Sequence, residues 1–323
     1  MKKFIIGFLI VVIALIGGIG VYLNRMLNQV DTNEISQSDE DLGIKKSDGK
    51  EEELPDVTNI ALFGLDRRET TGNTRSDTIM IASLDLENKK AKLTSIMRDT
   101  YVNIPGRGMD KINHAYAFGG PELAIRTINE NFDMDIRDYV MVDFYGMADI
   151  IDALGGVEID VKPEEVKYIN NYIQEISNTQ DKKINPVTAS GKQTLSGLQA
   201  VAYSRIRYVG NGDFERTERQ RRVLEQLMDK ALSAGALKYP KLMNELLPYV
   251  KTSLNKGEIL KLGTSAFASG INSLEQYRIP VDGYAKGQKM NGIYYLVPQD
   301  LQSNVDFLHR FIYGDKENVV QGK

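Results

Sequence analysis

The hydrophobic positions of this chain recur with the spacing of short strands and amphipathic helices. Apolar runs at 59–65, 78–84 and 91–97 predict three strands, the last two joined by a polar turn at 85–90. Further strands are predicted at 139–144, 157–161, 276–280 and 292–297. Helices are predicted at 121–132, 145–154, 163–176, from Ser196 onward, and at 214–232, 239–251, 256–268 and 300–312. Strands interleaved with helices predict a three-layer α/β/α fold, in which helices flank a central mixed β-sheet.

The most hydrophobic segment, residues 4–23, precedes this globular pattern. It contains neither charge nor proline, and as a helix it would span roughly 30 Å, the thickness of a bilayer core. Lys2 and Lys3 precede it, which predicts a cytoplasmic N-terminus at residues 1–3 and an extracellular location for the rest. A cleaved signal peptide is the alternative, but its apolar region is usually only about 7–15 residues long. The expectation is therefore a single-pass protein of the cell membrane.

Charge separates a linker from a globular domain. Residues 31–56 contain ten acidic residues and three lysines, so residues 24–56 are predicted to form a disordered acidic stalk. Residues 57–323, the predicted extracellular domain, carry no net charge, which argues against nucleic-acid binding. The chain has no cysteine and only two histidines, which excludes disulfides, thiolate metal sites and a cysteine nucleophile.

Acids and arginines collect where the first three predicted strands end. Asp66 follows the first strand, Asp77 precedes the second, and Arg98 and Asp99 follow the third. If these strands are antiparallel, their ends place all of these residues, together with Arg75, at one edge of the sheet. Paired carboxylates suit Mg²⁺, which proteins usually hold by one or two carboxylates plus substrate phosphates. The alternative is loose pairing of surface charges, which contributes little.

A second cluster is the arginine-rich segment 205–222. It contains six arginines and no lysine, a selection that indicates bidentate recognition of phosphate oxygens. Arg205 and Arg207 alternate along an extended segment, whereas Arg216 and Gln220 share one face of the following helix. For Arg221 and Arg222, pairing with glutamates along that helix is an equal alternative. Without a Walker or Rossmann fingerprint, these residues predict a Mg²⁺-assisted site for a lipid-linked pyrophosphate.

The chain also resembles the LytR-CpsA-Psr family of cell-wall glycopolymer ligases. The similarity covers roughly residues 57–235, in the family's order, and rests on the following stretches: NIALFGLDRR, TRSDTIMIASLD, KLTSIMRDTYVNIPG, DKINHAYAFGGPELA, VDFYGMADIIDALGGVEIDV, GKQTLSGLQAVAYSRIR and DFERTERQRR. Met97 departs from the family, which usually has proline before the Arg-Asp pair. The resemblance implies a sheet flanked by helices, with a hydrophobic tunnel for a polyprenyl chain.

The resemblance further implies a role for each matching residue. Asp66 and Asp77 match the Mg²⁺-associated acids, and Asp213 matches an acid beside the arginines. The implied pyrophosphate contacts are Arg75, Arg98, Arg205, Arg207, Arg216 and Gln220. Arg75, Arg98, Asp99 and Asp213 are the expected catalytic residues, with Asp99 and Asp213 candidates for the general base by proximity alone.

The implied reaction is a Mg²⁺-dependent phosphotransfer. A polyprenyl-pyrophosphate-linked anionic glycopolymer, of the teichoic acid or capsule type, is the expected donor, and peptidoglycan is the expected acceptor. Two alternatives stay open on the sequence. One is a polyprenyl-pyrophosphate phosphatase that uses the same site with water as acceptor. The other is a membrane-bound envelope regulator without catalysis, although paired acids bring nothing to simple anion binding.

Overall fold

The computed structural model describes residues 28–45, 57–65, 74–180, 185–233, 245–271 and 274–314. The first half contains β1 (Asp31–Thr32), β2 (Val57–Leu65), β3 (Ser76–Asp85), β4 (Lys90–Ile96), β5 (Tyr101–Ile104), β6 (Gly108–Lys111), α1 (Asn113–Phe132), β7 (Asp138–Asp143) and α2 (Phe144–Ala153). The second half contains β8 (Val157–Val161), α3 (Pro163–Gln180), β9 (Gly191–Leu195), α4 (Gly197–Ser204), α5 (Gly212–Ser233), a 3₁₀ turn (Leu247–Tyr249), β10 (Lys251–Thr252), α6 (Lys256–Ser269), β11 (Leu274–Ile279), β12 (Ala285–Met290), β13 (Ile293–Pro298) and α7 (Leu301–Tyr313).

Seven strands form the central sheet, in the order β1-β10-β7-β2-β3-β4-β11. Strands β2, β3 and β4 run antiparallel, as their short connections predict, whereas β7 and β11 lie parallel to their neighbours β2 and β4. The sheet is therefore mixed, and helices lie on both of its faces. The predicted α/β fold with a central mixed sheet is confirmed.

One face of the sheet packs into a continuous hydrophobic core. Because side chains alternate along a strand, Ala61, Phe63 and Leu65 of β2 point to the same face. They join Ile79 and Ile81 of β3 in a cluster that also includes buried side chains of α1 and α7. This cluster anchors the sheet and fixes the positions of the strand ends.

The opposite face is built differently. Buried residues of α2, α3, α4 and α5 form a second cluster with β8 and β9, and no residue of the central sheet belongs to it. The sheet residues that face these helices, such as Leu62, Thr78 and Val140, instead line a cavity of about 210 Å³. A gap thus separates the sheet from its second helical layer.

The structure differs from the sequence-based expectation before β2. Residues 28–45, which fall within the predicted disordered stalk, pack along the domain. β1 pairs with β10, Leu42 is fully buried in the first core, and Arg137 binds Asp39 with 2.6 Å between Nη2 and Oδ1. Isolated apolar side chains among many acids are sufficient to anchor this segment. Residues 46–56, and the anchor predicted over residues 4–23, lie outside the described residues. Within the described ranges, no helix is both long and apolar enough to cross a bilayer.

Three further differences concern individual elements. The first part of the helix predicted at 239–251, residues 239–244, lies outside the described residues, and its end is the 3₁₀ turn followed by β10. Helix α1 begins at Asn113, but non-helical backbone at Gly119 and Gly120 interrupts it, so the helix predicted at 121–132 is its second segment and only the segment before the kink was not predicted. The hairpin β5-β6 and the strands β9 and β12 were not predicted, whereas their neighbours β8 and β13 lie at the strands predicted at 157–161 and 292–297.

Candidate anion site at the edge of the sheet

Asp77 and Arg98 lie side by side at the edge of the sheet. Asp77 is the second residue of β3, and Arg98 follows the end of β4, so the antiparallel pairing brings both to the same end. Arg98 Nη1 donates a hydrogen bond to Asp77 Oδ1. Arg207 Nη2 lies 3.6 Å from Asp77 Oδ2, and Arg216 Nη2 donates to the Asp77 carbonyl at 3.4 Å. Three arginines therefore surround one aspartate.

Two more acids complete the cluster. Asp213, in the first turn of α5, lies 2.9 Å from Arg216 Nη2 and 3.6 Å from Arg98 Nε. Asp99 lies 3.8 Å from Arg98 Nε, and its Oδ1 is 2.8 Å from Lys111 Nζ. A cleft of about 400 Å³ lies over this cluster, lined by Arg98, Asp99, Arg207, Asp213 and Tyr294 among others. The structure brings Asp77, Arg98, Asp99, Arg207, Asp213 and Arg216 into one place.

The ionisation of these groups reflects their mutual contacts. Burial alone would raise the pKa of Asp77, but Arg98, Arg216 and Arg207 outweigh it and hold the pKa below its ordinary value. Burial, opposed by Asp213 and reinforced by repulsion from Arg98 and Arg207, lowers the pKa of Arg216 to about 10. Burial works against the charge of Arg98, but Asp77, Asp213 and Asp99 raise its pKa. Arg216 is therefore a cation that an additional anion would stabilise.

Three polar atoms of the cluster are buried without a hydrogen-bond partner among the described residues: Nε of Arg98, Nε of Arg216 and Oδ1 of Asp213. Buried polar groups in native proteins are almost always satisfied, so each such atom calls for an explanation. Two unsatisfied guanidinium donors beside an open cleft are suited to the oxygens of an anionic ligand.

A buried ion pair holds the segment that carries Arg205 and Arg207. Arg219 and Glu165 have no exposed side-chain surface, and Nε of the arginine lies 2.8 Å from the carboxylate. The same guanidinium donates to the carbonyls of Ile206 and Val209, both at 3.2 Å. Arg219 therefore fixes the backbone between α4 and α5, on which Arg207 is presented to Asp77.

Arg205 and Gln220 lie at the border between the arginine cluster and the cavity. Arg205 pairs with Glu175 at 3.3 Å and lies over the rings of Phe144 and Tyr172, at 5.2 and 4.8 Å from their centroids. Phe144 and Gln220 both line the cavity, as does Thr78, the neighbour of Asp77. Apart from Gln220 and a few other polar groups, the lining is aliphatic or aromatic. An apolar slot between sheet and helices thus ends beside the arginines.

The two remaining predicted site residues are placed as follows. Arg75 is exposed immediately before β3, and the ion pairs between described residues do not include it. Asp66 lies outside the described residues. Within the described part of the chain, no three acidic or histidine side chains are grouped to hold a metal ion. Asp77 nevertheless fits Mg²⁺ in its chemistry, since one carboxylate together with substrate phosphates is a usual ligand set.

Three residues of this region were not predicted from the sequence. Lys111 binds Asp99 from the end of β6 and lies over the ring of Tyr295, 5.4 Å from its centroid. Tyr294 lines the cleft from the β12-β13 hairpin and is 40% exposed. Lys111 comes from a hairpin without a strong apolar pattern, whereas Tyr294 lies on the strand predicted at 292–297, where nothing local distinguishes it from a packing residue. Arg219 was noticed only as one of the six arginines, since its partner Glu165 is 54 residues away in the sequence.

Comparison with known proteins identifies the family of this chain. The model described as the LytR_cpsA_psr family matches residues 19–306. The chain belongs to the LytR_cpsA_psr family. The match extends well beyond the motifs at 57–235, since it includes most of the N-terminal segment and the C-terminal strands that carry Tyr294.

Named relatives within the family have different descriptions. A polyisoprenyl-teichoic acid–peptidoglycan teichoic acid transferase TagU of Oceanobacillus iheyensis is 34% identical over 308 residues, which are 92% of this chain and 89% of that protein. A regulatory protein MsrR of Staphylococcus aureus is 33% identical over 242 residues, covering 74% and 67% of the two chains. The solved structure of the family protein YwtF (TagT) with bound octaprenyl pyrophosphate lipid has a TM-score of 0.60 and 27% identity, covering 88% of this chain and 99% of that one.

Proposed function

We propose that this protein is a Mg²⁺-dependent phosphotransferase that ligates a polyprenyl-pyrophosphate-linked anionic glycopolymer, of the teichoic acid or capsule type, to peptidoglycan. The observation that carries the proposal is the junction of an apolar slot with a cluster of buried arginines, two of which have unsatisfied donors. A substrate that is apolar at one end and doubly charged at the other matches this junction. The names of TagU and of the lipid-bound YwtF (TagT) structure support the same donor class.

In this proposal the polyprenyl chain occupies the slot beside Phe144 and Leu224, and the pyrophosphate lies against Arg98, Arg207 and Arg216. Phosphoryl transfer depends mainly on positioning and on stabilisation of charge, which these guanidiniums supply. The acceptor hydroxyl oxygen attacks the phosphorus that carries the glycopolymer. As that bond forms, the bond from this phosphorus to the bridging oxygen breaks, and polyprenyl phosphate leaves. Arg98, between Asp77 and Asp213, is placed to neutralise the charge that develops on the leaving oxygen.

A general base must accept the proton of the attacking hydroxyl. Asp213 is the better candidate of the two predicted acids, because its partner Arg216, with Nη2 2.9 Å from Oδ1, is a guanidinium that the bound pyrophosphate would engage instead. Asp99 is instead engaged by Lys111 at 2.8 Å, which favours a role in holding Lys111 and Arg98 at the cleft. We therefore assign proton acceptance to Asp213 and positioning to Asp99.

Asp77, with Asp66 as a proposed second ligand, would hold the magnesium ion. The ion would polarise the phosphoryl oxygens and neutralise part of their charge. In the described structure Asp77 is occupied by Arg98 and Arg207. A bound pyrophosphate competes for both guanidiniums, and this frees the carboxylate oxygens for the metal. Membrane anchoring by residues 4–23, with the N-terminus in the cytoplasm, is part of the same proposal and brings the slot close to its lipid substrate.

Product analysis tests the proposal. Purified full-length protein is incubated in detergent with a synthetic polyprenyl-pyrophosphate-linked glycopolymer, peptidoglycan and Mg²⁺. The expected products are polymer attached to peptidoglycan and free polyprenyl phosphate in equal amounts. Release of free polymer phosphate at the same rate with or without peptidoglycan would instead identify a phosphatase.

A second candidate, a regulator without catalysis, is favoured by the relative named regulatory protein MsrR. It predicts that the donor binds but that neither product forms. Chelation of Mg²⁺ distinguishes the two possibilities further. Turnover stops in the proposed enzyme, whereas donor binding by a regulator that needs no metal is unaffected.

A further inference from the structure

A second arginine cleft lies on the other side of α5, away from the lipid slot. It has a volume of about 510 Å³ and separates α5 from the edge strand β11 and the turn that follows. Three arginines line it: Arg221 and Arg222 of α5 and Arg278 of β11. None of the roles assigned above uses these three residues.

Two of these arginines have buried donors with no partner. Nη1 of Arg221 and Nη1 of Arg278 are both inaccessible to solvent, and neither makes a hydrogen bond to the described residues. Burial and repulsion from Arg278 lower the pKa of Arg221, and both guanidiniums line the same cleft. Arg222, in contrast, is satisfied by Glu218 and the Tyr203 hydroxyl. A tetrahedral anion between Arg221 and Arg278 would satisfy both donors and remove the repulsion.

The acids of the cleft lie at its rim. Asp282 binds Arg278 Nη2 at 2.6 Å, but its own side chain is 85% exposed, against 15% for the arginine. Glu225 is exposed, and Glu218 is engaged by Arg222. The interior of the cleft is therefore cationic, although its residues include as many acids as arginines.

A single aromatic residue separates this cleft from the candidate catalytic site. The Arg278 guanidinium lies over the ring of Phe214, 4.6 Å from its centroid. Phe214 in turn lines the catalytic cleft together with Arg98 and Asp213. A ligand that extends past Phe214 from the pyrophosphate site reaches Arg278 next.

We propose that the Arg221–Arg278 cleft binds a phosphodiester group of the donor polymer, beyond the pyrophosphate that reacts. This inference rests on the proposed function, and it adds a reason for the enzyme to prefer long anionic donors over the bare lipid-linked sugar. Arginine forks suit phosphate oxygens, and the repeating phosphates of such a polymer offer the cleft a second anion at any chain length.

The test compares two synthetic donors with the same short prenyl pyrophosphate and the same sugars. One of them also carries polyol-phosphate repeats. Wild-type protein is expected to show a lower KM for the repeat-bearing donor. Arg221→Gln and Arg278→Gln are each expected to reduce this preference by roughly tenfold or more, as the loss of a charge-assisted hydrogen bond implies. Asp282→Asn, which releases Arg278 from its rim partner, is expected to increase the preference.

Arg126→Gln is the matched control, because Arg126 pairs with Glu130 on α1, in a different part of the fold. It should retain the wild-type ratio of the two KM values. An equal ratio of the two donor KM values in the wild type and both cleft variants would overturn the proposal. A rise, in the cleft variants, of the KM for the peptidoglycan acceptor alone would also overturn it. If wild-type protein transfers neither donor, the proposed function fails. Calorimetric titration with a soluble polyol-phosphate oligomer then still decides whether Arg278→Gln weakens anion binding.

Discussion

Arg98 donates a hydrogen bond to Asp77 across the ends of two neighbouring strands, and this contact pairs a basic side chain of the site with an acidic one. Both side chains are largely buried, at 17% and 12% exposure. Such a pair stabilises the apo protein, but it also occupies the carboxylate proposed to bind magnesium. Under the proposed function, Arg98 and magnesium compete for Asp77, and a substitution there should separate their effects.

We predict that Asp77→Asn has opposite effects on anion binding and on catalysis. Without magnesium, removal of one negative charge leaves Arg98, Arg207 and Arg216 with less compensating charge, so the variant should bind inorganic pyrophosphate more tightly than the wild type. With magnesium, it should lose both the metal-dependent gain in pyrophosphate affinity and turnover. Calorimetry with and without Mg²⁺ measures the first effect, and product formation measures the second. Wild-type turnover in this variant would remove Asp77 from the metal site.

The acid dependence of stability provides a second prediction for the same residue. Because the pKa of Asp77 in the folded protein lies below its ordinary value of 3.8, its ionised form stabilises the fold. That contribution is present above about pH 4 and disappears as pH falls through the lowered pKa. The free energy of unfolding of Asp77→Asn should thus be lower than that of the wild type at neutral pH and should approach it at strongly acidic pH. A difference that is independent of pH would show that the lost stability does not arise from the charge.

Arg207→Ala should reduce activity without reducing stability. Its side chain is 39% exposed, and its one ion pair with a described residue is a long contact, of 3.6 Å, with Asp77. We expect turnover to fall by roughly 10²–10³-fold, the usual effect of removing one donor that stabilises charge in a transition state. The melting temperature should stay close to that of the wild type. Arg126→Ala, whose side chain has the same exposure of 39%, is the control and should change neither property.

Arg219→Met should reduce stability, in contrast to Arg207→Ala, since Arg219 holds the backbone of the site but does not face the cleft. Its loss leaves the buried carboxylate of Glu165 without its counter-ion, with only the Lys162 backbone N–H donating to it, and breaking a buried ion pair in this way typically costs about 3–5 kcal/mol. Urea denaturation should show this loss, and the double variant Arg219→Met/Glu165→Gln should recover part of it. If the single variant is as stable as the wild type, Glu165 must be able to protonate or to reach solvent at little cost.

Local sequence patterns determined much of the fold and the part of the site that lies at the ends of β3 and β4. The turn at 85–90 and the apolar strands beside it correctly place Asp77 near Arg98, because antiparallel strands of known length leave few other arrangements. The β12-β13 hairpin was missed although it contains a signal. Asn291 and Gly292 both have positive φ, and Asn-Gly is the preferred pair for such a tight turn. The polar composition of β12 concealed that signal.

Other features depend on contacts between distant residues and have no local pattern. Leu42 is one apolar side chain in an acidic segment, and only the packed domain shows that it has a buried position. The gap between the sheet and its helices is equally invisible in sequence, since Leu62 and Phe63 are both apolar, although only Phe63 belongs to the core. Which face of a strand is tightly packed depends on the helices opposite, and these come from the whole length of the chain.

The slot itself provides the last prediction. Its volume of about 210 Å³ is below the roughly 300–1,000 Å³ of most small-molecule sites, so a long prenyl chain must displace some of its lining. Leu224 is a partly buried lining residue on α5, and Leu224→Trp should fill the space into which the chain must enter. We expect the KM to rise for donors with long prenyl chains and to change little for donors with the shortest chains.

Asp229→Trp places the same side chain at an exposed position of the same helix and should leave both KM values unchanged. A Leu224→Trp variant that raises KM equally for all chain lengths would indicate that α5 has moved as a whole and has carried Arg216 away from the pyrophosphate. A variant that discriminates by chain length locates the lipid between the sheet and α5, because only there does added volume compete with each further prenyl unit.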